Sequence, residues 1–181
     1  MPVTRINSFN IGTYPKDTVF VLDTNVLYYV HSGYVMPTAA KSLLYSNVIQ
    51  TILNNGYSIE VSALNIQELL HLIEKKEYEL YCSANSKSPR TYTKKIYRQD
   101  ATQRSLLKSK LHTILSELSL YKLEDGEIAV DILNQFSNEF NLHTMDPIDY
   151  VLIKGYDSSR TVFISDDKDF QSNSAICVVT A

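Results

Sequence analysis

Several things are scarce in this chain, and each scarcity excludes a class of chemistry. Its five glycines are scattered, so no glycine-rich loop is available to cradle a nucleotide phosphate. Two cysteines, Cys82 and Cys177, are too few for a disulfide framework. Cys177 lies in the apolar run AICVV and reads as a core residue, so a reducing cytoplasm is the expected compartment. His31, His71, His112 and His143 lack the spacing of a ligand set, which argues against zinc. No nucleophile elbow, internal repeat or low-complexity tract occurs. No apolar run approaches the length of a membrane span, and no N-terminal stretch has the basic-then-apolar pattern of a signal peptide.

What is present suits one soluble globular domain over 1–181, with 44% hydrophobic and 20% charged residues. The first regular element is TVFVLDTNVLYYV. Within it Val19 to Leu22 is a continuous apolar, β-branched run, as in a strand buried on both faces, and it stops at Asp23. Helical spacing follows from Pro37 to Asn54, with Ala40, Leu43, Leu44, Val48 and Ile52 inward and a stop at NNG. YSIEVSA reads as a short strand. A helix begins at Asn65 with Ile66, Leu69, Leu70 and Ile73 inward. Two more are expected over about 103–121 (Leu107, Leu111, Ile114, Leu115, Leu118) and 125–140 (Ile128, Ile132, Leu133, Phe136, Phe140). A further helix opens at Pro147, and TVFIS and AICVVT are the last strands. Strands alternating with helices predict an α/β domain around a mainly parallel sheet, whose ligands bind beyond the carboxyl ends of the strands.

Charge is unevenly spread. The net charge is -3, which rules out a uniformly basic coat, yet 86–110 carries eight Lys and Arg against the single acid Asp100. That segment is therefore +7 and the remainder -10. Residues 84–102 read as a loop or partly ordered insertion, within a basic stretch spanning about 84–110.

Acids gather at the strand ends. Asp23 and Asp167 each follow a strand, while Glu68 and Asp149 fall in the first turn of a helix. Each has an ordinary explanation: Asn65 to Glu68 fits a capping box, Asp146 can cap the helix that holds Asp149, and Asp23 and Asp167 can be turn residues. In SDDKDF (165–170), Asp166 reads as a solvent-facing turn acid. Together, however, an α/β sheet would bring four carboxylates to one edge, where they repel unless a cation neutralises them. An all-oxygen site suits Mg²⁺ or Mn²⁺.

The ordered motifs VFVLDTNVLYY, VSALNIQELLHLIE and DYVLIKGYDSSRTVFISDDKDF resemble those of the PIN-domain nucleases and span Val19 to Phe170. The resemblance implies a PIN-like, Rossmann-like three-layer α/β/α sandwich. It implies that Asp23, Glu68, Asp149 and Asp167 are catalytic and hold one or two metal ions. Asp169 would be an auxiliary metal-binding acid, and Thr24, Asn25 and Ser165 would orient the first aspartate or the substrate. Asp146 competes with Asp149 for the third position, and Asp149 is preferred because the helix lies directly behind it. The basic insertion and about 17 residues before the first strand depart from the compact pattern.

The expected activity is metal-dependent hydrolysis of RNA phosphodiester bonds, leaving a 5′-phosphate, by a toxin of a toxin–antitoxin pair similar to the VapC type or by an RNA-processing or defence nuclease. Lys87, Arg90, Tyr92, Lys94, Lys95, Tyr97, Arg98, Arg104 and Lys108 are the candidate nucleic-acid contacts, cations for phosphates and rings for unpaired bases. Partners would be single-stranded or structured RNA, an antitoxin or inhibitor protein, and a second copy in a homodimer. The alternatives are a catalytically inactive PIN-like module that binds RNA or a partner, and a phosphatase-like domain with a divalent ion.

Overall fold

The computed structural model describes residues 3–34, 39–124 and 147–181. In chain order its elements are β1 (Val3–Arg5), two 3-10 turns (Ile6–Ser8 and Ile11–Thr13), β2 (Val19–Leu22), α1 (Thr24–His31), α2 (Ala39–Asn54), β3 (Ser58–Ser62), α3 (Ala63–Ala84), α4 (Lys94–Gln99), α5 (Ala101–Leu118), β4 (Lys122–Glu124), α6 (Pro147–Lys154), β5 (Thr161–Ile164), α7 (Lys168–Ser172) and β6 (Cys177–Thr180). The described strands form one sheet in the order β1-β6-β5-β2-β3-β4, and every pairing is parallel.

Why β2 is apolar throughout, and β5 and β6 nearly so, is visible in how they pack. Side chains alternate across a strand, so each strand feeds both faces of the sheet. Phe20, Leu22, Val162, Ile164 and Val179 join Val26 and Leu27 of α1, Tyr45 and Ile52 of α2, Leu69 and Ile73 of α3, and Ile114 and Leu118 of α5. Val21, Phe163 and Val178 face the other way, against Leu152 and Ile153 of α6 and Phe170 of α7. The result is a three-layer α/β/α sandwich. No described helix is long and apolar enough to cross a membrane.

Several expectations need correction. The first regular element is β1, which pairs with β6 at one edge, and β4 closes the other edge. Both are three-residue strands, too short to leave an alternating pattern. The stripe of α2 that faces inward is Tyr45, Val48, Ile49 and Ile52, whereas Leu43 is 65% exposed and Ala40 is also exposed. Tyr45 is admitted because its hydroxyl accepts the Ala181 amide at 3.0 Å. Leu115 of α5 faces solvent as well. The capping box at Asn65 is not formed: α3 starts at Ala63, and Ser62 is its cap, accepting the Asn65 amide at 3.1 Å. Cys177 is half-buried rather than a full core residue. The helix expected over 125–140, Asp146 and His143 lie outside the described residues.

The basic insertion is partly ordered: residues 85–93 form turns and irregular chain, and helix lies on either side. The helix α3 continues through Ala84, and α4 follows, capped by Thr93. Asp100, the lone acid of the segment, caps α5 by accepting the Thr102 and Gln103 amides at 2.9 and 3.1 Å. A small aromatic core of Tyr78, Cys82 and Tyr97, with Tyr81 and Tyr92 packed against it, joins α4 to α3.

Candidate active site

After β2 the chain lays down β3 and β4 on one side, then returns to place β5 and β6 on the other. A parallel sheet opens a crevice at the carboxyl ends of the strands flanking such a reversal. Asp23 is the first residue beyond β2, and Ser165, Asp166 and Asp167 are the first beyond β5. Leu22 and Ile164 are register partners, so the two strand ends emerge side by side.

Asp23 is 4% exposed, and both carboxylate oxygens are engaged. Oδ1 accepts the Thr24 amide at 2.6 Å, while Oδ2 accepts the Asn25 side-chain amide and the Ser165 hydroxyl, each at 2.6 Å. Burial pushes its carboxyl up to about 6. The bonds from Ser165 and Thr24 oppose that rise, and the charges of Glu68 and Asp167 add to it. The side chain is both a helix cap and a strained charge.

Glu68 arrives one turn into α3 and is held from α1: the Thr24 hydroxyl donates to Oε2 at 2.7 Å. Asn65 donates to the same Thr24 hydroxyl oxygen at 3.1 Å, and Ser62 donates to Asn65. Thr24 therefore serves two acids, its amide to Asp23 and its hydroxyl to Glu68. Asn65 was legible only as a helix start, because a second role toward another helix leaves no local signal.

Three further acids meet beside this pair. One carboxylate oxygen from each of Asp149, Asp167 and Asp169 lies within 4.8 Å of the others. Asp167 caps α7, accepting the Asp169 amide at 2.8 Å, and its own amide donates to Ser165 at 3.0 Å. Asp167 thus belongs to both groups, as an electrostatic neighbour of Asp23 and a member of the triad. Three hard oxygen donors that close fit a divalent Mg²⁺- or Mn²⁺-like cation and would repel one another without one. Asp169, expected as an auxiliary, stands in the triad on the same footing as Asp149.

Asp166 is not the solvent-facing turn acid the sequence suggested. Its carboxylate is 13% exposed and forms an ion pair with Lys41 of α2. Tyr29 and Tyr45 each donate to it at 3.3 Å, and its own amide donates to Asn25 at 3.2 Å. Its partners lie more than 120 residues away, so a local reading saw only a polar turn.

The candidate nucleic-acid residues separate. Tyr97 is 2% exposed, so its ring belongs to the core and cannot stack on a base. Arg98 makes a two-pronged contact with Glu74, its Nη2 to Oε2 at 2.6 Å, which holds α4 on α3. Glu74 is six residues past Glu68, about 9 Å or 1.7 turns along the helix axis, so the insertion docks that far along α3 from Glu68. Lys87 lies over the half-buried Tyr92 ring at 5.8 Å. Arg90, Lys95, Arg104 and Lys108 are exposed, and Lys94 is half-buried.

The sheet order, the two helical layers and the acids at the strand reversal define a PIN-like fold. Two solved structures share it over nearly the whole chain. A DNA-bound VapBC2 from Rickettsia felis, with a fragment of their promoter, superposes with a TM-score of 0.53 at 11% identity, covering 90% of this chain and 98% of that one. DNA-bound VapBC from Salmonella typhimurium gives 0.50 at 13% identity, covering 89% and 96%. No family model and no curated protein matches the sequence. The likeness is one of fold.

Proposed function

We propose that this protein is a metal-dependent endoribonuclease that hydrolyses RNA phosphodiester bonds, acting as the toxin of a toxin–antitoxin pair. The convergence of Asp149, Asp167 and Asp169 within 4.8 Å, beside the buried Asp23 and the tethered Glu68, carries this reading. A Mg²⁺ or Mn²⁺ ion held there would polarise the scissile phosphate and lower the pKa of a bound water. This chain's own residues do the rest. Ser165, Asn25 and the Thr24 amide hold Asp23 as a carboxylate against the pull of burial, and Thr24 and Asn65 fix Glu68. The exposed cations of the insertion, Arg90, Lys95, Arg104 and Lys108, offer phosphate contacts. The VapBC neighbours, which are complexes bound to DNA, support an antitoxin partner for this chain too.

The test is cleavage of end-labelled single-stranded RNA by wild type and Asp23→Asn, with Mg²⁺, with Mn²⁺ and with a chelator. The reading expects cleavage only by wild type with metal. Equal cleavage in every sample would overturn it. Metal and RNA binding without turnover would instead favour the inactive binding module.

A further inference from the structure

Resting on the nuclease reading, we infer that Lys41 takes a backbone phosphate of the substrate at the rim of the acidic crevice. Asp166 is the positioning residue that holds its ammonium there.

The strand end beyond β5 sends its side chains in two directions. Ser165 and Asp167 point into the acid cluster, while Asp166 points to the helices on the other side, receiving Lys41 and Tyr45 of α2 and Tyr29 of α1. The two sides are tied together through Asn25. It accepts the Asp166 amide with its oxygen and donates to Asp23 with its nitrogen. The Lys41 ammonium therefore stands one carboxylate and one asparagine away from the most buried acid of the site.

Lys41 is also out of place by local rules. It lies in the first turn of the described α2, and the N-terminus of a helix carries a positive partial charge that disfavours a cation. Two tyrosine hydroxyls also donate to the Asp166 carboxylate, so Lys41 is not its sole partner. A local rule broken at the edge of a site marks a functional requirement more often than a structural one. The requirement here is charge. A crevice of five carboxylates repels a polyanion, so a cation must meet the backbone beside it.

Lys41 can do this because its side chain remains 38% exposed while Asp166 is only 13% exposed. A phosphate oxygen can share or replace the carboxylate as its partner. The other charges near the site are less suited. Arg98 and Lys110 are held by Glu74 and Glu77, six and nine residues past Glu68 along α3 and so farther from the acids. Lys168, next to Asp167, is exposed, and among the described residues no ion pair or hydrogen bond orients it.

The test compares wild type with Lys41→Gln, Lys41→Arg and Asp166→Asn on a fluorescein-labelled single-stranded RNA. Cleavage is followed with Mg²⁺ or Mn²⁺ across a range of KCl, and Tm is recorded for each protein. Loss of a charged hydrogen bond to phosphate in Lys41→Gln should raise KM about tenfold with kcat nearly unchanged. It should also flatten the slope of log KM against log salt by about 0.7, the value for one phosphate on a single strand. Lys41→Arg should restore both. Asp166→Asn, which removes the carboxylate that positions the ammonium but leaves its charge, should keep the salt slope and raise KM by a smaller factor with kcat nearly unchanged. Equal losses of kcat and Tm in Lys41→Gln and Asp166→Asn, with KM and salt slope unchanged, would make the pair a structural tie and overturn the inference. No binding or cleavage of RNA by wild type would overturn the nuclease reading itself, and this inference with it.

Discussion

Asp23 shows what a buried carboxylate costs the fold that carries it. Its carboxyl is pushed up to about 6 from an ordinary 3.8, chiefly by burial. The native state therefore holds this proton more tightly than the unfolded chain does. Its contribution to stability is complete below about pH 4 and is lost as pH rises through 6. In a chelator, the unfolding free energy of wild type relative to Asp23→Asn should fall by on the order of 3 kcal/mol between about pH 4 and pH 7. Urea titrations at several pH values measure this, and a flat difference would mean Asp23 is not buried as a charge. Thr24 offers a second residue-scale check. Thr24→Val removes the hydroxyl that joins Asn65 to Glu68, and should cost about 1–3 kcal/mol by leaving polar groups unpaired. At this scale the sequence was most legible where the position in a local element marked the residue. Asp23, Asp149 and Asp167 announced themselves by following a strand or opening a helix. Asp166 and Asn65 did not, because their second partners come from elements far away in the chain.

Helix α4 shows the same limit one level up. Six residues cannot sustain a helix in water, so α4 exists because it is held. Tyr97 holds it from beneath, packing with Tyr78 and Cys82, and Arg98 clasps Glu74 from above. Burial outweighs the ion pair. Tyr97→Ala should lower stability by about 3–5 kcal/mol and release hydrogen-exchange protection across 94–99. Arg98→Ala, at a largely exposed contact, should cost under about 1 kcal/mol. Comparable losses from both would show that the salt bridge, not the aromatic cluster, anchors the insertion. A run of cations interleaved with tyrosines read naturally as a nucleic-acid contact. The fold divides that run into rings that pack inward and cations that face solvent.

At the scale of the whole molecule, the sheet order decides which charges meet. The chain reverses between β2 and β5, and five carboxylates separated by as many as 146 residues converge there. If that convergence is a metal site, Mg²⁺ or Mn²⁺ at one hundred times its dissociation constant should add about 2.7 kcal/mol of stability. That would appear as a rise of several degrees in Tm, abolished by Asp167→Asn, because Asp167 belongs to both acid groups. No shift with either ion would argue against a metal centre. The sequence by itself determined the alternation of strands and helices, the central buried strands and the acids at their ends, since burial on both faces imposes an apolar run and a strand end breaks it. The three-residue edge strands, the packed insertion, the partners of Asp166 and the joining of the two acid groups were decided only by the tertiary structure, because each depends on contacts between distant segments, and local periodicity carries no record of what a side chain will meet across the fold.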